Sequence, residues 1–244
     1  RVPTAGTVPL SPTLDTLGPI ARSVADCLLV DGVIADAPLA PPRLSLAGLR
    51  FAVPDDYVTD GIDDAVARAF TATLSKLSAA GATIVELPMA MLAEAREINL
   101  FSPIEAFAWH RDLLATAEDR YDRRVVQRIL AGRNHREADL PALHAARRDW
   151  IARVAQAIEG YDAMLMPTVP IVAPRTEALL ASDEAFFEAN RLLLRNPSLI
   201  NLLDGCALSL PCHRAGDLPV GLMIAAPAMA DARVMAIGTA IEAL

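Results

Sequence analysis

The sequence predicts a layered α/β/α fold, with a mixed central sheet flanked by helices. Short apolar runs at Leu49–Val53, Ala82–Leu87 and Ala163–Met166 alternate with stretches of helical periodicity, the pattern of strands covered by helices. The segment Asp204 to Ile224, D-G-C-A-L-S-L-P-C-H-R-A-G-D-L-P-V-G-L-M-I, reads as two strands joined by a polar turn and brings antiparallel pairing. Hydrophobic residues make up 53% of the chain, ample for a core on both faces of a sheet, and no internal repeat is visible.

Each element has a local reason. Ser23 to Asp26 reads S-x-x-D before Cys27, Leu28, Val30, Val33 and Ile34, a capping-box variant that starts a helix running to about Ala35. Pro38, Pro41 and Pro42 end it, and Leu49–Val53, stopped by Pro54, suits a buried strand. Ile62, Val66, Phe70, Leu74 and Leu77 recur at helical spacing up to Gly81, and Ala82–Leu87 follows, so this part is a strand, helix, strand unit. Met89 to Trp150 is helical almost throughout, with two or three helices expected and breaks at Pro103 and Pro141. Ala163–Met166 is a strand whose ladder Pro167-Thr168-Val169-Pro170 cannot continue. A helix near Phe186 to Leu203, the hairpin with its turn at Arg214 to Asp217, and a last helix capped by Asp231 complete the chain.

Charge and composition narrow the function. A formal net charge of −8 opposes binding to a phosphate backbone, so nucleic acid is not an expected partner. The apolar runs Cys27–Val30 and Gly221–Ala230 fall short of the roughly 20 residues a spanning helix needs, so no membrane partner is expected. Three cysteines, an odd number in a long chain, favour a reducing compartment, and cytoplasm is the expected location. Of the 22 basic residues only Lys76 is a lysine, and it sits between Leu74 and Leu77 as a solvated helix residue. Cys206, Cys212 and His213 lack the spacing of a zinc site, so no metal or cofactor is expected and Cys206 reads as a buried, inert thiol. His110, His135 and His144 lie on polar helical stretches. Arg22 and Asp26 stand four apart, which suggests an intrahelical pair worth about 0.3–0.5 kcal/mol or a buried arginine tying the helix elsewhere. Asp15, ahead of Thr-Leu-Gly-Pro, reads as an Asx turn holding the backbone.

Several separated motifs add a further level. Asp15-x-x-Gly18-Pro19-x-x-Arg22-Ser23-Val24-x-Asp26, Tyr161-Asp162-x-x-Leu165-x-Pro167-Thr168-x-Pro170, Asn201-x-x-x-Gly205 and Leu218-Pro219-Val220-Gly221-Leu222 occur in this order, with looser matches at Glu105 and Arg128-Ile129-x-x-Gly132. Together they resemble the amidase signature family over nearly the whole chain.

The resemblance implies hydrolysis of a carboxamide C–N bond by a Ser, cis-Ser, Lys triad, with backbone amides of a glycine-rich turn holding the oxyanion. It also implies that the lysine and the Gly/Ser-rich segment lie upstream of Arg1. Residues 1–244 are then the C-terminal portion of a single amidase signature domain, with no catalytic residue of their own and no activity alone. The expected partners are a small-molecule amide, the upstream half of the same protein and, as a candidate, a second copy of the chain. Two residues are singled out for substrate binding. Thr168 follows a strand, where open α/β sheets bind ligands. Arg128 corresponds to an arginine that, in the glutamine-using amidotransferase A subunits of the family, binds the substrate carboxylate, for which a guanidinium offers bidentate geometry. Those subunits also place an aspartate for the glutamine amino group where this chain has Leu194, which argues for a simple hydrolase. Phe101, Phe107, Trp109 and Leu194 suggest a small acyl or aryl amide. The alternatives are a non-catalytic binding or scaffold relative, and an amidotransferase A subunit.

Overall fold

Ser23 starts the first helix as its S-x-x-D pattern requires, its Oγ accepting from the Asp26 amide at 3.1 Å. In the computed structural model, which describes all 244 residues, this helix is α1 (Val24–Ile34). It precedes β1 (Arg50–Pro54), α2 (Asp64–Ala79) and β2 (Thr83–Leu87). Four helices follow: α3 (Ala95–Ile98), α4 (Phe101–Ala117), α5 (Arg123–Leu130) and α6 (Leu140–Ala157). The chain then runs through β3 (Ala163–Pro167), α7 (Thr176–Ala181), α8 (Asp183–Leu202), β4 (Cys206–Pro211), β5 (Gly221–Ala226) and α9 (Asp231–Glu242).

The five strands form one mixed sheet in the order β2-β1-β3-β5-β4. β1 is parallel to β2 and β3, and β5 is antiparallel to β3 and β4. Because side chains alternate along a strand, the sheet sorts its own apolar residues into two cores. Phe51, Val53, Leu165, Leu222 and Ile224 face the layer of α1, α2 and α9, meeting Val24, Phe70, Leu77, Val234 and Ile237. Ala52, Met164, Met166 and Met223 face the opposite layer, with Phe101, Trp150, Val154 and Leu199 from α4, α6 and α8. Trp150 is fully buried, and its indole N–H donates to the Met91 carbonyl at 2.7 Å, so its one polar atom is satisfied.

The structure revises several sequence-based expectations. Pro103 and Pro141 do not separate helices; each lies in the first turn of one, α4 and α6, where a missing N–H costs no helical bond. Four α-helices, not two or three, span Met89 to Trp150, and α7 was not foreseen. Asp231 is the first residue of α9, not its cap. Arg22 and Asp26 are both exposed and make no pair. Asp15 does not form an Asx turn with the residues that follow it; its carboxylate instead accepts from the preceding amides of Leu10 and Ser11 at 3.0 Å each. His110 is buried, its Nδ1 2.8 Å from the Tyr121 hydroxyl, rather than on a polar face.

Helix α1 is mostly apolar, Asp26 and Asp31 apart, yet Leu29 and Val33 are 70% and 73% exposed. No helix of the molecule is long and apolar enough to cross a membrane.

Candidate functional site

A cavity of about 550 Å³ opens between α3, α4, α5 and α8, with Leu10 and Tyr57 contributed by loops. Its location depends on one glycine. A Cβ on Gly132 would stand 2.1 Å from the Pro103 carbonyl oxygen and 2.5 Å from the Phe107 Cβ, so only glycine lets the end of α5 press against α4. That approach brings Val125, Arg128 and Ile129 of α5 over the same space as Ser102, Pro103 and Ala106 of α4. The Arg128-Ile129-x-x-Gly132 spacing is thus a packing device with Arg128 at its open end. The Asn99 side chain closes part of the wall, its Oδ1 buried without a hydrogen-bond partner.

The wall is cationic. Arg96, Arg128, Arg191 and Arg195 line it and no acidic residue does. Only Arg191 pairs with a carboxylate, that of Glu188 at 2.6 Å. Arg195 is buried and donates to the carbonyls of Asp60 (2.6 Å) and Val58 (2.8 Å) and to Asn196 Oδ1 (3.2 Å). Burial lowers its pKa, an effect that Asp60 offsets in part. Tyr57, held at a positive φ of 46°, meets two of these cations, with the Arg96 and Arg195 guanidinium carbons 4.9 Å and 5.7 Å from its ring centre. Beside Arg195, the fully buried Asn196 donates to Val58 O (3.1 Å) and Pro167 O (2.8 Å), fastening the end of β3 to the loop after β1.

Of the residues singled out in the sequence, Arg128 and Leu194 line the cavity. Thr168 does not; it sits half-buried just past β3, its amide donating to Gly221 O at 2.8 Å and its hydroxyl 2.6 Å from that of Ser209. The aromatic residues fall elsewhere: Phe101 is core, Phe107 lies under Arg133, and Trp109 is 42% exposed. Arg96, Arg191 and Arg195 escaped sequence reading because each is one arginine among many on a helix. Their convergence is a product of the fold alone. Glu105 likewise becomes intelligible here. Its carboxylate accepts from Ser11 Oγ (2.6 Å), the Thr13 amide (3.0 Å) and Thr13 Oγ1, and Asn201 donates to Leu14 O at 2.6 Å, so both motif residues hold the N-terminal segment beside the cavity.

The thiols are quiet. Burial raises the Cys206 pKa to about 11, with Asp231 adding to the rise, and burial raises that of Cys212 as well. Lys76 is exposed on α2 and does not line the cavity.

A family model described as Amidase matches residues 1–235. The chain belongs to the amidase family. It is 31% identical over 255 residues to a 2-amino-5-chloromuconic acid deaminase of Comamonas testosteroni, a match covering all of this chain and 54% of that protein. It is 30% identical over 266 residues to an indoleacetamide hydrolase of Rhizobium radiobacter, covering 99% of this chain and 56% of the relative. The crystal structure of an amidase superposes with a TM-score of 0.85 at 28% identity, covering the whole chain and 56% of that structure. The chain therefore spans about half the length of the amidase relatives it matches. The mixed sheet and its two helical layers are those of an amidase fold.

Proposed function

We propose that this chain forms the substrate-binding part of an amide hydrolase that cleaves the C–N bond of a small carboxamide carrying a carboxylate. The observation behind this reading is Arg128, exposed on the cavity wall without a carboxylate partner of its own, in a chain of the amidase family. A planar guanidinium presented to a cavity matches a carboxylate in two parallel hydrogen bonds. Thr168, which stands outside the cavity at the end of β3 with its hydroxyl paired to that of Ser209, is proposed to meet the same substrate only where it extends past the cavity mouth. One relative is named for an acid and another for the hydrolysis of an amide, and the proposed substrate combines both features.

The serine, cis-serine and lysine groups of the reaction come, in this reading, from an upstream half that completes the fold, and the 244 residues alone are inactive. The relatives' greater length and the exposed apolar side of α1 support it. The protein works in the cytoplasm without a cofactor. Leu194 favours hydrolysis over the amidotransferase alternative, because an aliphatic side chain on the wall gives a substrate ammonium no counter-charge.

Ammonia release from half-amides of dicarboxylic acids tests this, measured on the 244-residue chain and on the gene product extended upstream. The extended protein should hydrolyse them and the short chain should not. Arg128→Gln should raise KM at least tenfold with a smaller change in kcat, as expected for lost binding shared by ground and transition states. Equal turnover of neutral amides, with Arg128→Gln unchanged, would sink the reading.

A further inference from the structure

We infer that the cavity takes a substrate with two anionic groups, one held by Arg128 and the other by Arg96 with Arg195 behind it; this rests on the reading that the cavity is the substrate site. The charge of the cavity wall is unbalanced. The protein as a whole carries −8, yet this wall gathers four guanidinium groups and no acid. Glu188 neutralises Arg191, leaving Arg96, Arg128 and Arg195 without a carboxylate partner.

These three cations occupy two places. Arg96 and Arg195 both stand over the Tyr57 ring, one from α3 and one from α8. Arg128 comes from α5, where Val125 and Ile129 complete its stretch of wall. Arg96 reaches only the Tyr57 hydroxyl, a long contact of 3.4 Å that leaves most of its donors unused. Arg195 is a buried guanidinium whose direct partners are carbonyl and amide oxygens, so no carboxylate touches it and the nearby Asp60 offsets its burial only in part. Burying a cation without its counter-ion is costly. Like-charged groups gathered around one ring also repel, and Arg96 and Arg191 both act on Arg195. A bound anion at the Tyr57 end relieves this, and a second anion at Arg128 completes the balance. About 550 Å³ accommodates a short chain of carbon atoms between them.

The test is titration calorimetry of the purified protein with adipate and with monomethyl adipate, at pH 7.5 and fixed ionic strength. The two probes share a carbon skeleton and differ by one charge. Adipate should bind at least tenfold more tightly, equivalent to about 1.4 kcal/mol. Arg96→Gln and Arg128→Gln should each bring adipate down to the affinity of the monoester. Both side chains are exposed, and unchanged urea midpoints would show that the variants remain folded. Equal affinities of wild type for the two probes would overturn the proposal without recourse to any variant, as would an Arg96→Gln protein that binds adipate unchanged. An adipate preference in a protein that hydrolyses no amide would support the dianion site while removing the functional reading. Hydrolysis of half-amides without that preference would do the reverse.

Discussion

The hydroxyls of Thr168 and Ser209 meet 2.6 Å apart across a strand that separates them. Thr168 follows β3 and Ser209 lies on β4, with β5 between. They touch because Gly221, where β5 begins, has no side chain: a Cβ there would stand 2.6 Å from both oxygens. Gly221→Ala is therefore expected to cost roughly 1–3 kcal/mol by overpacking. In a Ser209→Ala background one of the two clashes is relieved, so the loss from Gly221→Ala should shrink. A double-mutant cycle in urea checks this, and strict additivity would refute it.

Gly132 makes a harder demand, since the atom a Cβ would meet at 2.1 Å is a backbone oxygen that cannot swing aside. Gly132→Ala should fall at the upper end of the roughly 1–3 kcal/mol overpacking range. It should also displace α5 and with it Arg128, so ligand binding weakens beyond what stability alone explains. Urea midpoints and adipate titration, read together, separate the two effects. A Gly132→Ala protein with both unchanged would show that α5 is free to move.

Asp56 offers a prediction in pH. Burial raises its pKa above the ordinary 3.8, the neighbouring Asp55 adds to the rise, and its Oδ1 is buried without a partner. The folded state thus binds this proton more tightly than the unfolded chain, and stability contributed at low pH is lost as pH rises through the folded pKa. Asp56→Asn should accordingly melt higher than wild type at pH 7. The gap should close as pH falls toward and below 3.8, where both side chains are uncharged. A melting temperature for Asp56→Asn at or below wild type at pH 7 contradicts this account.

The strands and their alternation were legible in the sequence because burial on two faces writes itself into consecutive residues. Leu49–Val53, Ala82–Leu87 and Ala163–Met166 became β1, β2 and β3 with little change of bounds. Ser23 was legible as a cap because the bond it makes spans three residues. Pro103 and Pro141 misled because proline is as much at home in a helix's first turn as beyond its end, and local sequence does not tell the two apart. His110 misled because it packs against Tyr121, which lies beyond the end of its own helix α4.

What the sequence by itself determined is the amidase kinship, the α/β layering and the short-range devices: Ser23 as cap and the two-core alternation of the strands. Each rests on contacts within a few residues or on motif spacing. What only the tertiary structure decided is the cavity and its charge. Arg96, Arg128 and Arg195 come from three helices, and they share one wall because Gly132 and the Asn196 clasp bring distant segments together. The physical reason is range. Hydrogen-bonded caps and side-chain periodicity act over a turn or two of chain, whereas the potential inside a cavity sums charges from residues 96 to 195 that no local pattern relates.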